Sequence, residues 1–584
     1  MVLESGLLQE REDRYALTGP LPPLAIPATL HDSLRARLDR LAMVKGLAQL
    51  GATLGREFAY TLLQAVSPWD EATLRRGLQQ LVEAEFLYQR GLPPQATYLL
   101  KHALIQDAAY QSLLKSTRQQ YHQRIAQVLD ECFLETVETQ PELVAHHYTE
   151  AGLSAPAVSY WQRAGQRALQ RSAHVEAISH LTRGLEVLAT LPDTAERAQH
   201  ELVLQTTLGS ALMATKGQGA PEVGQAYARA RELCRQVGET PQLFPVLFGL
   251  WRFYQVRAEH QTARELAEQC FNLAQRGQDP TLRLEAHFAL GVSLFWLGEV
   301  VAARAHLEQG IALYDPQEHR ALAFRVGIDL AVWCLSHAAQ ALWLLGYPDQ
   351  ALGRNHAALT LAQELSHPPS LAAVLFHVAF IHCYRREAHA TQEQAEAAMA
   401  RAREQGVPQW LTVGTILRGW ALARQGQAEE GIAQIRHALA AWRAMGAGMA
   451  VSHWLVLLAE AYGHAGQAEE GLRLLAEALV HVDSTGERPS AAEVYWLKGE
   501  LLLRQAIPDE VQAETCWHQA LDIARRQQTK SWELRAAVSL ARLWQQQGKN
   551  AEARDLLAPI YGWFTEGFDT ADLQEAKALL EALS

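Results

Sequence analysis

The hexapeptide GQAEEG occurs at 426–431 and again at 466–471, forty residues apart, each time between apolar, alanine-rich stretches. A chain that writes one turn repeatedly at a fixed interval is restricted to architectures that stack a repeated unit. Counted from Gly466, the small or apolar positions are Leu458, Ala459 and Tyr462 before the turn, then Gly471, Leu475 and Ala478 after it. The same offsets around Gly298 fall on Leu290, Gly291, Leu294, Ala303, Leu307 and Gly310. Gly152, Gly346, Gly426 and Gly548 give matching sets, with Arg418 and Asn355 as misfits. Apolar residues three and four apart on both sides of a short turn make two amphipathic helices. Glycine ends the first helix by accepting positive φ. Glu429 and Glu430 then sit in the first turn of the second helix, where the dipole favours acids. One such pair is too thin to bury its own core, so each must stack on the next.

The small–large–small pattern resembles the tetratricopeptide repeat. Turns fall near 258, 298, 346, 388, 426, 466, 506 and 548, a period of about 40 instead of the usual 34. The expected fold is therefore mostly α, with a tetratricopeptide-like α-solenoid of about ten or eleven hairpins over 136–584. A chain of 584 residues is long enough for such an array and a separate domain. Its composition, 49% hydrophobic and 20% charged, is that of an ordered protein.

Before the array the character changes. Residues 1–27 read as a linker, ending in the proline-rich TGPLPPLAIPAT at 18–29. IPATLHDSLRARLDRL predicts a helix capped near Thr29, with Leu30, Leu34, Leu38 and Leu41 on one face. Further helices are expected at roughly 43–54, 57–67 and 70–87, and FLYQRGLPPQATYLLKH reads as a β-hairpin. Helices followed by a hairpin give a winged-helix-like domain over 28–135. Between 28 and 90 eight basic residues face seven acids, and Arg75 and Arg76 share their helix with Glu83. A groove-reading helix needs a clearer basic face, and the net charge of −12 argues the same way, so nucleic acid is not an expected partner.

These segments, with QLGATLGREF, LKHALIQDAAYQSLLKSTRQQYHQRIA and PELVAHHYTEAG, resemble bacterial proteins that join a nucleotide (adenylate/guanylate) cyclase, or another effector, to a signal-transduction ATPase and a C-terminal helical repeat array. The resemblance implies that the winged helix is an arm on the ATPase core and that the repeats are a sensor or interaction surface. It begins just after the ATPase core, so the chain is expected to be a C-terminal piece of such a protein or the product of a gene that lost its front. No GxxxxGK[ST] phosphate loop occurs, and KGQGAPEVG at 216–224 reads as a loop between helices. Neither catalysis nor a cofactor is expected of this chain alone. His146 and His147 are adjacent and point about 100° apart, which suits packing better than metal binding. His122 and Glu131 read as a solvated helix face. The six cysteines form no CxxC pair and read as buried thiols of a reducing compartment. No apolar run reaches the roughly 18 residues of a membrane span, and the N-terminus lacks a signal pattern, so the expected location is cytoplasmic.

The expected function is regulatory: binding a protein, peptide or small effector and controlling an ATPase or cyclase output. The other readings are a part of an ATP-binding cyclase enzyme and a winged-helix transcription regulator. If the inner face of the array carries the binding site, its candidates are Arg252, Phe295, Trp296, Trp343, His382, Arg385, Trp420 and Arg424. Aromatic and arginine side chains on a groove are the kind that dominate binding energy.

Overall fold

Helical periodicity carries through almost the whole chain in the computed structural model, which describes residues 8–11, 14–17, 30–41, 44–238, 240–277, 279–320 and 322–584. The proline-rich stretch and the cap at Thr29 lie outside the described residues. Within the expected linker, Leu8–Arg11 and Arg14–Leu17 pair as antiparallel strands. Packing divides the chain into two units, one of residues 1–167 with 179–200, the other of 168–178 with 201–584. That division falls later than residue 135.

In the first unit the helix Lys45–Leu54 is followed by the short strand Glu57–Ala59, the helices Tyr60–Val66 and Glu71–Glu83, and the strands Leu87–Arg90 and Thr97–Leu100. Thr97–Leu100 is the middle strand of an antiparallel sheet, flanked by the other two. The sequence periodicity places residues 57–59 in a helix, whereas they form an edge strand. Phe58 explains this: as a strand residue its ring points inward and stacks near Tyr98, with 6.0 Å between centroids. Asp70 caps Glu71–Glu83 by accepting from the Thr73 backbone N–H. The helices Lys115–Cys132 and Pro141–Glu150 close the unit by packing together. Cys132 is exposed, contrary to the expectation of six buried thiols, and the other five cysteines are buried.

The second unit is a run of helical hairpins, each helix packed on its sequence neighbours. Among the described residues eight successive hairpins, from Leu243–Val256 with His260–Arg276 to Lys530–Gln546 with Asn550–Tyr561, follow the expected turns, and in the seventh a longer loop joins Ala491–Leu502 to Glu510–Gln527. The GQAEEG copies are turn and second-helix start in both places: Gly426 and Gly466 have φ of 89° and 73°. At Gly431 a Cβ would lie 2.3 Å from the carbonyl oxygen of Gly419, so glycine there is what lets the two helices touch. The same turn conformation is held without glycine by Ala258 and Arg386, at φ of 63° and 65°. Core positions follow the offsets, with Ala459, Leu475 and Ala478 fully buried.

The run of hairpins winds back on itself. A helix leaves its last carbonyls without intrahelical partners. The Val256 carbonyl accepts from the backbone N–H groups of Gly448 and Met449 at 2.9 and 3.0 Å, and the Trp296 carbonyl from the Arg488 N–H at 2.9 Å. The Trp343 carbonyl takes the Ser531 hydroxyl, and the Tyr384 carbonyl takes the Arg535 guanidinium. Four consecutive first helices are thus capped by residues that lie four or five hairpins further along the chain. Glycines accommodate the approach: a Cβ on Gly219 would lie 2.6 Å from the Gly446 carbonyl oxygen, and one on Gly448 would lie 2.7 Å from that of Arg257. No helix of the described residues is long and apolar enough to cross a membrane.

Candidate functional site

Because the later hairpins cover the ends of the earlier ones, the inner face is an interior. Phe295, Trp296, Trp343, Trp420 and Arg385 are all buried. This corrects the expectation of an open groove: Trp343 and Arg385 pack on side chains of later windings, and Phe295, Trp296 and Trp420 pack on their own and adjacent hairpins. Trp296 lies parallel to the His260 ring at 5.8 Å. Trp343 stacks on Tyr384 at 4.3 Å and meets the edge of Trp532 at 5.1 Å, while the Arg535 guanidinium lies 5.1 Å from its ring. Arg252 is half-buried and engaged with its surroundings.

Trp420 and Arg424 converge on one acid. The Trp420 indole Nε1–H donates to Glu460 at 2.7 Å, Arg424 Nη1 donates to its other oxygen at 2.7 Å, and the guanidinium lies over the Trp420 ring. Burial works to raise the Glu460 pKa, but His464, Arg424 and Trp420 together hold it below the ordinary carboxylate range. A cavity of about 10 Å³, roughly the freedom of one water centre, separates this cluster from Tyr384, Glu493 and Arg535.

His382 and Arg385 both hold Glu387, at 2.5 and 2.7 Å. Arg385 and its neighbour Arg386 then reach a segment near the C-terminus. Arg385 Nη2 donates to Asp569 at 3.0 Å, and Arg386 Nη1 donates to Asp572 at 3.2 Å and Glu575 at 3.0 Å. Arg535 holds the second oxygen of Asp572 at 2.9 Å. Burial alone would lower the Arg386 pKa, yet Asp572 and Glu575 bring it out above the ordinary arginine value. Three residues earlier than Asp569, Glu566 accepts from the backbone N–H groups of Asp349 and Gln350, each at 3.0 Å, at the start of the helix Pro348–Leu365. In return Asp349 accepts from the Gly567 N–H at 2.9 Å. The acids therefore recur every third residue from Glu566 to Glu575: Glu566 meets a helix N-terminus, Asp569 meets Arg385, Asp572 meets Arg386 and Arg535, and Glu575 meets Arg386.

Five of the partners in this network, Arg386, Glu460, Arg535, Asp569 and Asp572, were not singled out from the sequence. Glu460, Arg535 and Asp572 sit in helices and Arg386 and Asp569 in turns, and each finds its counterpart 36 to 189 residues away, so no short-range spacing marks it. Glu487 is the same kind of residue. It is fully buried, accepts from the Ala450 N–H at 2.8 Å and from Ser452, and lies 3.6 Å from His260.

In the first unit, His122 is buried, against the expectation of a solvated face, because its helix packs on Pro141–Glu150. Its Nδ1 lies 2.8 Å from His147 Nδ1 and its Nε2 lies 2.9 Å from the Tyr110 hydroxyl. Among the described residues no group of three or more His, Cys, Asp or Glu side chains is placed to hold a metal ion.

Helical hairpins stacked into a winding array, with a buried face of arginines and aromatics, define the class: an α-solenoid of tetratricopeptide-like repeats. No family model matches the chain. An uncharacterized protein of Rhizobium meliloti (strain 1021) is 28% identical over 425 residues, 71% of this chain. The chain spans 40% of the length of that relative. Among solved structures, a Rap protein complexed with competence and sporulation factor has a TM-score of 0.49 at 12% identity, covering 63% of this chain and 98% of that one. A signal-transduction ATPase with numerous domains and a tetratricopeptide-repeat sensor, from Pyrococcus horikoshii, has a TM-score of 0.34 at 10% identity, covering 87% and 68%.

Proposed function

We propose that the chain is a non-catalytic regulatory module whose solenoid binds a protein or peptide partner through an acidic segment. The observation that carries this reading is the seat that Arg385, Arg386 and Arg535 give to Asp569, Asp572 and Glu575, with Glu566 on a helix N-terminus beside them. A surface that orders four acids at a three-residue spacing has the chemistry to hold a partner's acidic segment in the same spacing. Charge-assisted, part-buried pairs of this kind give orientation as well as attraction. Trp343, Trp420 and Arg424 are the packed floor behind the seat, and His382 orients Glu387 beside it. The output controlled is read from the sequence resemblance alone, as the ATPase or cyclase segment of a longer signalling protein.

The first unit fits the accompanying arm. Its order of helix, strand, two helices and a β-hairpin, with the hairpin's second strand in the middle of the sheet, supports the winged-helix reading. Arg75 is tied to Glu71 at 2.6 Å on Glu71–Glu83, which leaves that helix a poor basic face for DNA.

The test uses a fluorescent peptide of residues 563–575 added to the full chain. The reading expects no binding to the wild type, whose seat is filled, and saturable binding to Glu566→Gln/Asp569→Asn/Asp572→Asn, whose own segment holds less tightly. Adding Arg385→Glu and Arg386→Glu should abolish that binding. A folded triple variant that ignores the peptide, or binding indifferent to the two arginines, contradicts the reading.

A further inference from the structure

Away from the buried seat, an open pocket of about 500 Å³ lies where the helices Pro221–Val237, Leu243–Val256 and His260–Arg276 come together. Its volume is that of a small-molecule site. Cys234 and Leu247 form a buried floor, with the half-buried Leu243 and Leu273 beside them. The rim is basic: Arg231 and Arg235 come from one helix and Arg276 from another, and no carboxylate is among the described lining residues.

The bland explanation of these arginines is that cations favour helix C-termini, and Arg235 and Arg276 do stand in last turns. The magnitudes argue for more than that. Two C-termini bring about −0.5 charge each and the start of Leu243–Val256 about +0.5, against three full positive charges. Summed over the described lining residues and these helix ends the charge is about +2.5, in a chain whose formal charge is −12. Arg231 reaches Gln269 at 3.4 Å, a long contact with a neutral group. Arg235 and Arg276 form no ion pair among the described residues. Such an arrangement contrasts with the rest of the same two helices, where Arg229 is held by Glu201 and Glu232, and Arg264 by Glu268 and Glu299.

We infer that this pocket binds a small amphipathic anion, with its apolar chain over Cys234, Leu243, Leu247 and Leu273 and its head group between Arg235 and Arg276. A planar guanidinium pairs equally well with a carboxylate or a phosphate, so the shared chemistry is an anionic oxygen head on an apolar body. The inference does not depend on the acidic-segment reading, because none of these residues touches that seat.

The experiment titrates the full chain with dodecanoate, dodecyl phosphate and dodecanol below their aggregation concentrations, by calorimetry. The two anions should bind at one site per chain at least tenfold more tightly than the alcohol, and their relative affinity separates a carboxylate ligand from a phosphate one. Arg235→Glu/Arg276→Glu, both exposed positions, should lose at least tenfold in affinity for the anions and none for the alcohol, with an unchanged melting curve. Should the double reversal perturb folding, Arg276→Gln alone and the salt dependence of wild-type binding give the same reading. Equal binding of alcohol and anions, or anion affinity indifferent to the arginines and to salt, overturns the inference.

Discussion

At the scale of single residues, the turn glycines divide into two kinds that look alike in sequence. Gly426, Gly466 and Gly548 have positive φ and open space where a Cβ would go. Gly346, at φ of 92°, would set a Cβ 2.6 Å from the Trp563 ring and 2.8 Å from the Lys530 Cβ. For Gly466→Ala only the backbone conformation is at stake, and the expected loss is about 1 kcal/mol. Gly346→Ala adds a clash between windings and should cost clearly more, about 2–4 kcal/mol by overpacking. Urea denaturation of the two variants measures the difference, and equal losses would contradict the winding contact. Trp420 makes the same point with a larger group. It is 2% exposed, so Trp420→Ala should cost about 3–5 kcal/mol as a core truncation and not act as a surface change. A thermal melt like that of the wild type would return Trp420 to an open groove.

Elements show which signals a sequence carries over short range. The hairpins of the second unit were legible because glycine turns and small residues recur at fixed offsets, and the β-hairpin was legible in its flanking turn residues. The strand Glu57–Ala59 was not, because three residues beside a helix carry no period of their own. The packing of Lys115–Cys132 on Pro141–Glu150 was equally hidden, and it produces a pH response. Burial pushes the His122 pKa down to about 4 and holds His147 well below its ordinary value, with neighbouring His146 acting in the same direction. His146 is itself lowered by burial, while Glu150 opposes the shift. A base whose folded pKa is depressed binds fewer protons folded than unfolded. Its contribution is complete above the unfolded value near 6.5 and is lost as pH falls from there toward 4. The first unit should therefore lose stability between pH 6.5 and 4, and His122→Gln should flatten that loss. Hydrogen exchange over 103–150 across this range checks it, and a pH-independent profile would contradict the buried cluster.

For the whole molecule, the sequence pattern puts the candidate residues on one face, and most of them are buried beneath what covers it. The sequence could reveal the face but not its occupant, because the occupant comes from hairpins four or five repeats away. Caps at Val256, Trp296, Trp343 and Tyr384 and the acids from Glu566 to Glu575 are long-range pairings that no local pattern announces. With no phosphate loop in the chain, purified protein is expected neither to bind nor to hydrolyse ATP. Turnover that co-purifies with the protein would contradict the non-catalytic reading.

Closure of the solenoid on itself brings the start of Pro348–Leu365 onto Glu566, and the distance between these two segments measures it. Spin labels are placed at the exposed Gly353→Cys and Thr565→Cys, which leave the contact itself intact, with the exposed Cys132 changed to Ser. Gln350 Nε2 donates to Glu566 at 3.0 Å and Gly353 lies one helical turn further on, so the closed winding predicts a single narrow distribution centred at about 30 Å or less once the label arms are included. In an extended array, about ten intervening helices stacked roughly 9 Å apart would put the labels beyond about 50 Å. A dominant population at that distance would contradict the closed winding, and with it the assignment of an acidic segment to the arginine seat.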